Sequence, residues 1–196
     1  MKKNTSRFTA SLIAALSISA PSFAEKISLD RLNEYINGLP IAKARFTQTN
    51  ADQSTSRGQL YLSRPGKMRF EYSGKTKDKV IVNHGTVAVY DGKFEDQKPS
   101  IFPLKRTPLS LILGKSVNLK TSGMVAKHIE NGPYTYVIAR DPKGKTKGHI
   151  QLVFTDNPVR LTQWIITDQS KNRTIVQLGD FVEQKKLPAR LFEINK

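Results

Sequence analysis

From residue 42 onward the sequence alternates. Ala42, Ala44, Phe46 and Gln48 are separated by Lys43, Arg45 and Thr47. Leu60 and Leu62 alternate with Gln59, Tyr61 and Ser63, and Met68, Phe70 and Tyr72 alternate with Lys67, Arg69 and Glu71. Successive side chains of a strand point to opposite faces, so each run makes a half-exposed strand with one apolar and one charged side. Lys79 to Val82 and Val87 to Tyr90 make two more, joined by the tight-turn sequence Asn83-His84-Gly85. Strands resume at about 124–130, 134–140, 148–155, 160–167 and 173–181, and turn residues such as Asn131-Gly132-Pro133 and Asp156-Asn157-Pro158 separate them.

Two segments break the alternation. Ile27 to Leu39 reads as an amphipathic helix. Ser28 caps it, Ile27 and Leu32 form a hydrophobic staple, and Leu29, Leu32, Tyr35, Ile36 and Leu39 share one face before Gly38 ends it. Residues 97–123 form the second break. Gln97 to Pro103 reads as loop, and Thr107-Pro108 reads as an N-cap with proline at the first helical position. Leu109, Leu111, Ile112 and Leu113 then give a short, very apolar helix ending at Gly114, and Leu187-Pro188 begins a last short segment. The expected architecture is mainly β: an unclosed antiparallel half-barrel of about ten to eleven strands, its apolar concave face plugged by a lid of two to three short α-helices.

The first 24 residues stand apart. Lys2, Lys3 and Arg7 precede an apolar stretch from Phe8 to Ala20, and Ser22-Phe23-Ala24 offers a small-residue cleavage site. This reads as a secretory signal peptide, 1–24, cut after Ala24 and followed by one domain, 25–196. Glu25 at the new terminus excludes lipidation of the chain itself through a cysteine there.

The 196-residue chain carries 32 basic and 16 acidic side chains, a formal charge of +16. It contains no cysteine, which excludes disulfides, thiol nucleophiles and zinc ribbons. Its three histidines, His84, His128 and His149, are isolated, so no metal site and no cofactor are expected. No Ser/His/Asp pattern, HExxH or phosphate-binding loop is present, and the scattered carboxylates favour no acid–base pair, so the chain is read as a non-enzyme. Its basic clusters are Lys75-Lys77-Lys79, Lys105-Arg106, Lys143-Lys145-Lys147 and Lys185-Lys186. They lack the interleaved aromatic platform of a nucleic-acid binder and fit transient contact with an anionic membrane surface, or simple solvation.

The order Phe46-Thr47-Gln48, Gly58-Gln59-Leu60, Arg64-Pro65, Met68 to Tyr72, Gly85 and Tyr90-Asp91 resembles the LolA family. The resemblance continues through Thr107-Pro108-Leu109 and Asp168 to Thr174 as far as Phe192, nearly the whole of 25–196. It implies an open barrel whose helical lid covers a cavity for the acyl chains of lipoproteins. Arg64 matches the family arginine that latches lid to barrel. Leu60, Leu62, Met68, Phe70, Tyr72, Val87 and Val89 are the implied cavity lining, with Leu32, Ile36, Leu109, Leu111, Ile112 and Leu113 in the lid. The implied function is a monomeric periplasmic carrier of acylated lipoproteins. It would be loaded by an inner-membrane lipoprotein-releasing ABC transporter and relieved by an outer-membrane lipoprotein receptor. The alternative is a periplasmic lipid-binding or sensor module that ferries no lipoprotein. Met68 and Phe70 stand where family members often carry aromatic residues or other bulky side chains, and the chain ends soon after Phe192 without the extension some members have.

Overall fold

The computed structural model of the chain describes residues 25–94 and 97–195; the signal peptide expected over 1–24 lies outside the described residues. Helix α1 spans Leu29–Asn37. The Ser28 side chain accepts a hydrogen bond from the Arg31 N–H, Ile27 and Leu32 are both buried, and Gly38 caps the helix end by donating to Glu34 O. Eight strands match the alternation closely: β1 Ala42–Thr49, β2 Thr55–Ser63, β3 Lys67–Tyr72, β4 Lys79–Asn83, β5 Thr86–Tyr90, β8 Tyr134–Ala139, β9 His149–Thr155 and β10 Arg160–Thr167. Strand β7 is Val125–Asn131, β11 is Arg173–Leu178 and β12 is the short Val182–Glu183. Between β4 and β5 the turn has two residues, His84 at φ +46° and Gly85 at φ +74°, the left-handed pair that matches the twist of a hairpin.

Gln97 to Pro103 is not all loop. Strand β6, Ser100–Pro103, pairs antiparallel with β5 from Thr86↔Pro103 to Val89↔Ser100. All four of its residues are exposed, so no alternation betrays it, and proline is tolerated because the strand lies on a sheet edge.

All the strands form one antiparallel sheet in the order β6-β5-β4-β3-β2-β1-β11-β10-β9-β8-β7, with β12 beside β1. Every pair of neighbours in the sheet is consecutive in the chain except at β1, which meets β11 from Phe46↔Leu178 to Thr49↔Ile175 and also pairs with β12. Strands β6 and β7 are the two ends of the order, so the barrel is unclosed.

The connection between those two free edges is residues 104–124. It buries Leu104, Leu109, Ile112, Leu113, Val117, Leu119 and Met124 in the same cluster as the concave face of the sheet. Its helix is shorter than expected: α2 is Ser110–Leu113 only. A 3-10 turn at Leu104–Arg106 precedes it, and the Thr107 hydroxyl donates back to Leu104 O at 2.9 Å instead of capping forward, so Pro108 precedes the helix rather than beginning it. At the C-terminus a second 3-10 turn, Ala189–Phe192, lies against β3 and β4. Arg69 Nη1 donates to Leu191 O and Asn83 Nδ2 donates to Phe192 O.

Gly58 faces Phe46 and Tyr72 across the ladders. A Cβ there would sit 2.0 Å from Glu71 O and 2.8 Å from the Phe46 ring. The missing side chain lets Phe46 meet Phe70 and Tyr72 edge-on at 5.1 Å each. Gly58→Ala is expected to cost about 3 kcal/mol in denaturant unfolding, as overpacking against backbone that cannot give way. Gly179→Ala, whose Cβ would stand 3.5 Å from its nearest neighbour, should cost well under about 1 kcal/mol.

Candidate functional site

The concave face carries most of the residues named from the sequence. Leu60, Leu62, Met68, Phe70 and Val87 are buried there, facing Leu152 and Trp164 from the other half of the sheet. From above come Leu32 and Ile36 of α1, with Leu109, Ile112 and Leu113 of the connection, while Leu111 is half-buried against them. Two members of the expected lining lie differently. Val89 is 38 % exposed: it shares the face of Val87 but sits farther along, where it lines an open depression of about 320 Å³ with Gln48, Tyr72 and Val80. Tyr72 is half-buried at the same end of the sheet.

The interior between sheet and cover is shut. Where Ile36, Leu62, Met68, Leu113, Trp164 and Phe181 converge beside Arg64, about 10 Å³ is free. That is at the lower limit for a single water. Leu39, read from the sequence only as part of the apolar face of α1, belongs to this interior, as do Trp164 and Leu161 of β10 and Phe181 after β11, which the sequence did not mark because they come from the far half of the chain.

Polar bonds hold the cover down. Arg64 Nη2 donates to Gly114 O at 2.8 Å and to Asn37 Oδ1 at 3.3 Å, and the Gly66 N–H donates to Leu113 O at 2.9 Å. Carbonyls at the end of α2 have no partner within the helix, so a guanidinium and an amide from the β2–β3 turn satisfy them. The Arg64 Nε and Nη1 atoms are buried without a partner, and burial lowers the guanidinium's pKa from its ordinary value. Helix α1 contributes a second set of bonds. The Val117 N–H donates to Asn37 Oδ1 at 2.9 Å while Asn37 Nδ2 donates to Val117 O at 2.8 Å, and the Leu119 N–H donates to Asn33 Oδ1 at 2.8 Å. Asn33 and Asn37 lie one turn apart, so both amides face the same side of the helix. Sequence reasoning passed over them, since two asparagines on the polar side of a helix look like any solvated pair.

A polar chain runs out of the other end of the sheet. The Tyr72 hydroxyl donates to Gln48 Oε1 at 2.8 Å, and Gln48 Nε2 donates to Asn50 Oδ1 at 2.7 Å. Burial pushes the Tyr72 phenol up to about 12.

Two of the basic clusters meet in space. The Thr146 hydroxyl donates to Lys105 O at 2.7 Å, which sets exposed Lys143, Lys145 and Lys147 beside Lys105 and Arg106. The one carboxylate in that loop, Asp141, accepts from the Lys143 and Thr146 N–H groups, and these bonds hold its pKa below the usual range. Among the described residues no three His, Asp or Glu side chains gather as metal ligands, and no helix is long and apolar enough to cross a membrane.

Asn37→Ala removes both bonds to Val117. The Val117 and Leu119 amides should then exchange with solvent roughly tenfold faster, a local loss of about 1–2 kcal/mol, while the amides of β9 and β10 stay protected. Tyr72 gives a pH signature. Its folded pKa exceeds the unfolded value of about 10, so its contribution is fully present below pH ~10 and is lost as pH rises toward 12. Unfolding measured between those limits should show a fall of roughly 1–2 kcal/mol that Tyr72→Phe removes.

The sequence matches the LolA family, described as outer membrane lipoprotein carrier protein LolA, over residues 37–195. It is similar to the outer-membrane lipoprotein carrier protein of Coxiella burnetii strain CbuK_Q154, 25% identical over 191 residues covering 93% of this chain and 90% of the relative. The protein of the same name from Chromobacterium violaceum is 25% identical over 198 residues, covering 98% and 93%. Among solved structures, a LolA superfamily protein from Nitrosomonas europaea superposes with a TM-score of 0.44 at 10% identity, covering 85% of this chain and 98% of its own. With the family match spanning most of its length, the chain belongs to the LolA family.

Proposed function

We propose that this protein is a periplasmic carrier that takes up the acyl chains of lipoproteins between its sheet and its cover and ferries them from the inner to the outer membrane. The observation that carries the reading is an apolar interior held shut by polar side chains reaching to a crossing backbone: Arg64 on Gly114 and Asn37 on Val117. Such bonds each contribute about 1 kcal/mol net, so a handful of them makes a closure that a ligand can overcome. Burying a CH2 is worth about 0.8 kcal/mol, so a chain of ~16 carbons supplies on the order of 12 kcal/mol as an upper bound. Opening the cover and parting its apolar contacts use up much of that, which leaves binding weak enough for release.

In this reading Leu60, Leu62, Met68 and Phe70 form the floor of the site, joined by Trp164 and Leu152. Met68 suits the task because an unbranched thioether adapts to chains of different shape. Arg64 is the latch, and Leu32, Ile36, Leu109, Ile112 and Leu113 are the part that lifts. The protein performs no catalysis. It works as a monomer loaded by an inner-membrane lipoprotein-releasing ABC transporter and unloaded at an outer-membrane lipoprotein receptor. Two relatives matched over nearly the whole chain carry the name outer-membrane lipoprotein carrier protein, in agreement with this role. The rim formed by Lys105, Arg106, Lys143, Lys145 and Lys147 meets anionic surfaces at either end of the journey.

Native mass spectrometry of protein recovered from the periplasm tests the reading. Acylated protein cargo is expected; free lipid alone would instead support a lipid-binding module, and correctly sorted outer-membrane lipoproteins after depletion would refute ferrying. Retention on membrane vesicles rich in phosphatidylglycerol should fall severalfold between about 0.05 and 0.3 M salt, as screening shortens the reach of the rim charges.

A further inference from the structure

Beside the closed interior lies a groove of about 370 Å³, room for roughly a dozen water-sized groups. Its wall comes from the end of α1, the start of β10 and the stretch between β11 and β12, and none of it from the 104–124 connection. Leu39, Leu161 and Phe181 line both this groove and the closed interior, so the two share an apolar wall. Leu161 is buried, while Leu39 and Phe181 are half-buried and packed against the core. The rim is polar: Arg160 pairs with Asp180, and Thr162 and Glu183 stand nearby. An apolar floor continuous with the core, edged by charged and hydroxyl groups, suits an amphiphile with a long tail and a polar head.

Two routes lead inward. Entry under the connection requires breaking the bonds of Arg64 to Gly114, Gly66 to Leu113, Asn37 to Val117 and Asn33 to Leu119 before any apolar surface is gained. Entry at the groove meets a wall of apolar side chains, with the Leu161 N–H to Tyr35 hydroxyl bond at 3.0 Å behind it. Rotating Phe181 and Leu39 aside exchanges one set of apolar contacts for another as the tail slides in.

We propose that this groove is the port through which an acyl chain enters, with Phe181 and Leu39 as its gate, and that the Arg64 and asparagine bonds yield only afterwards, as the interior fills. The proposal rests on the carrier reading and adds the route and the order of events.

Stopped-flow mixing with dansyl-labelled undecanoic acid tests it. The wild-type chain should take up the probe, and Phe181→Glu and Leu39→Glu should each slow association at least tenfold, with circular dichroism reporting an intact sheet. Ser116→Glu, an exposed site on the connection, should stay within twofold of wild type. Benzoylphenylalanine in place of Phe181, which keeps the aromatic bulk, should cross-link to the probe before the Leu113 and Val117 amides lose protection. Uptake by the wild type with unchanged rates in both glutamate variants would overturn the port while leaving the carrier reading intact. No uptake by the wild type would overturn both.

Discussion

The structure depends on one topological debt: a sheet that does not close leaves two free edges, and the chain must travel between them. Strand β6 ends at Pro103 and β7 begins at Val125, at opposite ends of the strand order. The connection therefore passes over the hollow of the sheet, and its composition follows. Leu104, Leu109, Ile112, Leu113, Val117 and Leu119 point into an apolar hollow because exposing them and the hollow together would be far costlier. The cover is a consequence of leaving the barrel open.

That origin explains why the cover is held as it is. A crossing segment with a four-residue helix and little ladder pairing of its own has many backbone groups to satisfy. The β2–β3 turn and α1 supply the partners: Arg64 and Gly66 from one side, Asn33 and Asn37 from the other. Asn37 touches both Arg64 and Val117, so helix, turn and connection share one junction. Bonds from a few side chains to one strap can be broken together without disturbing the sheet, whose own ladders run from β6 round to β7.

Much of this was legible in the sequence, and the failures are instructive. Period-two alternation located strands such as β1 and β3 because each buries alternate residues, and Ser28 located the start of α1 because its side chain serves the helix within three residues. Strand β6 was missed because an edge strand exposed on both sides has no alternation to read. The α2 helix was drawn too long because the Thr107 hydroxyl turned backward, a choice between two local bonds that the sequence leaves open. Val89 has the face that alternation assigns it, yet alternation cannot say where the cover ends. Asn33 and Asn37 were invisible because their partners lie 86 and 80 residues away. Arg64 came from the family resemblance; its own neighbours in sequence give a turn arginine and nothing more.

In the proposed function an acyl chain occupies the interior that is shut in this state, where about 10 Å³ is free. A crystal structure of the protein in complex with an acylated lipoprotein measures this most directly. Acyl density is expected between Met68, Phe70 and Trp164 below and Ile36 and Leu113 above, with the Arg64–Gly114 bond broken and the sheet unchanged. Acyl density confined to the outer surface, over an interior still closed and an Arg64–Gly114 bond still made, would contradict it.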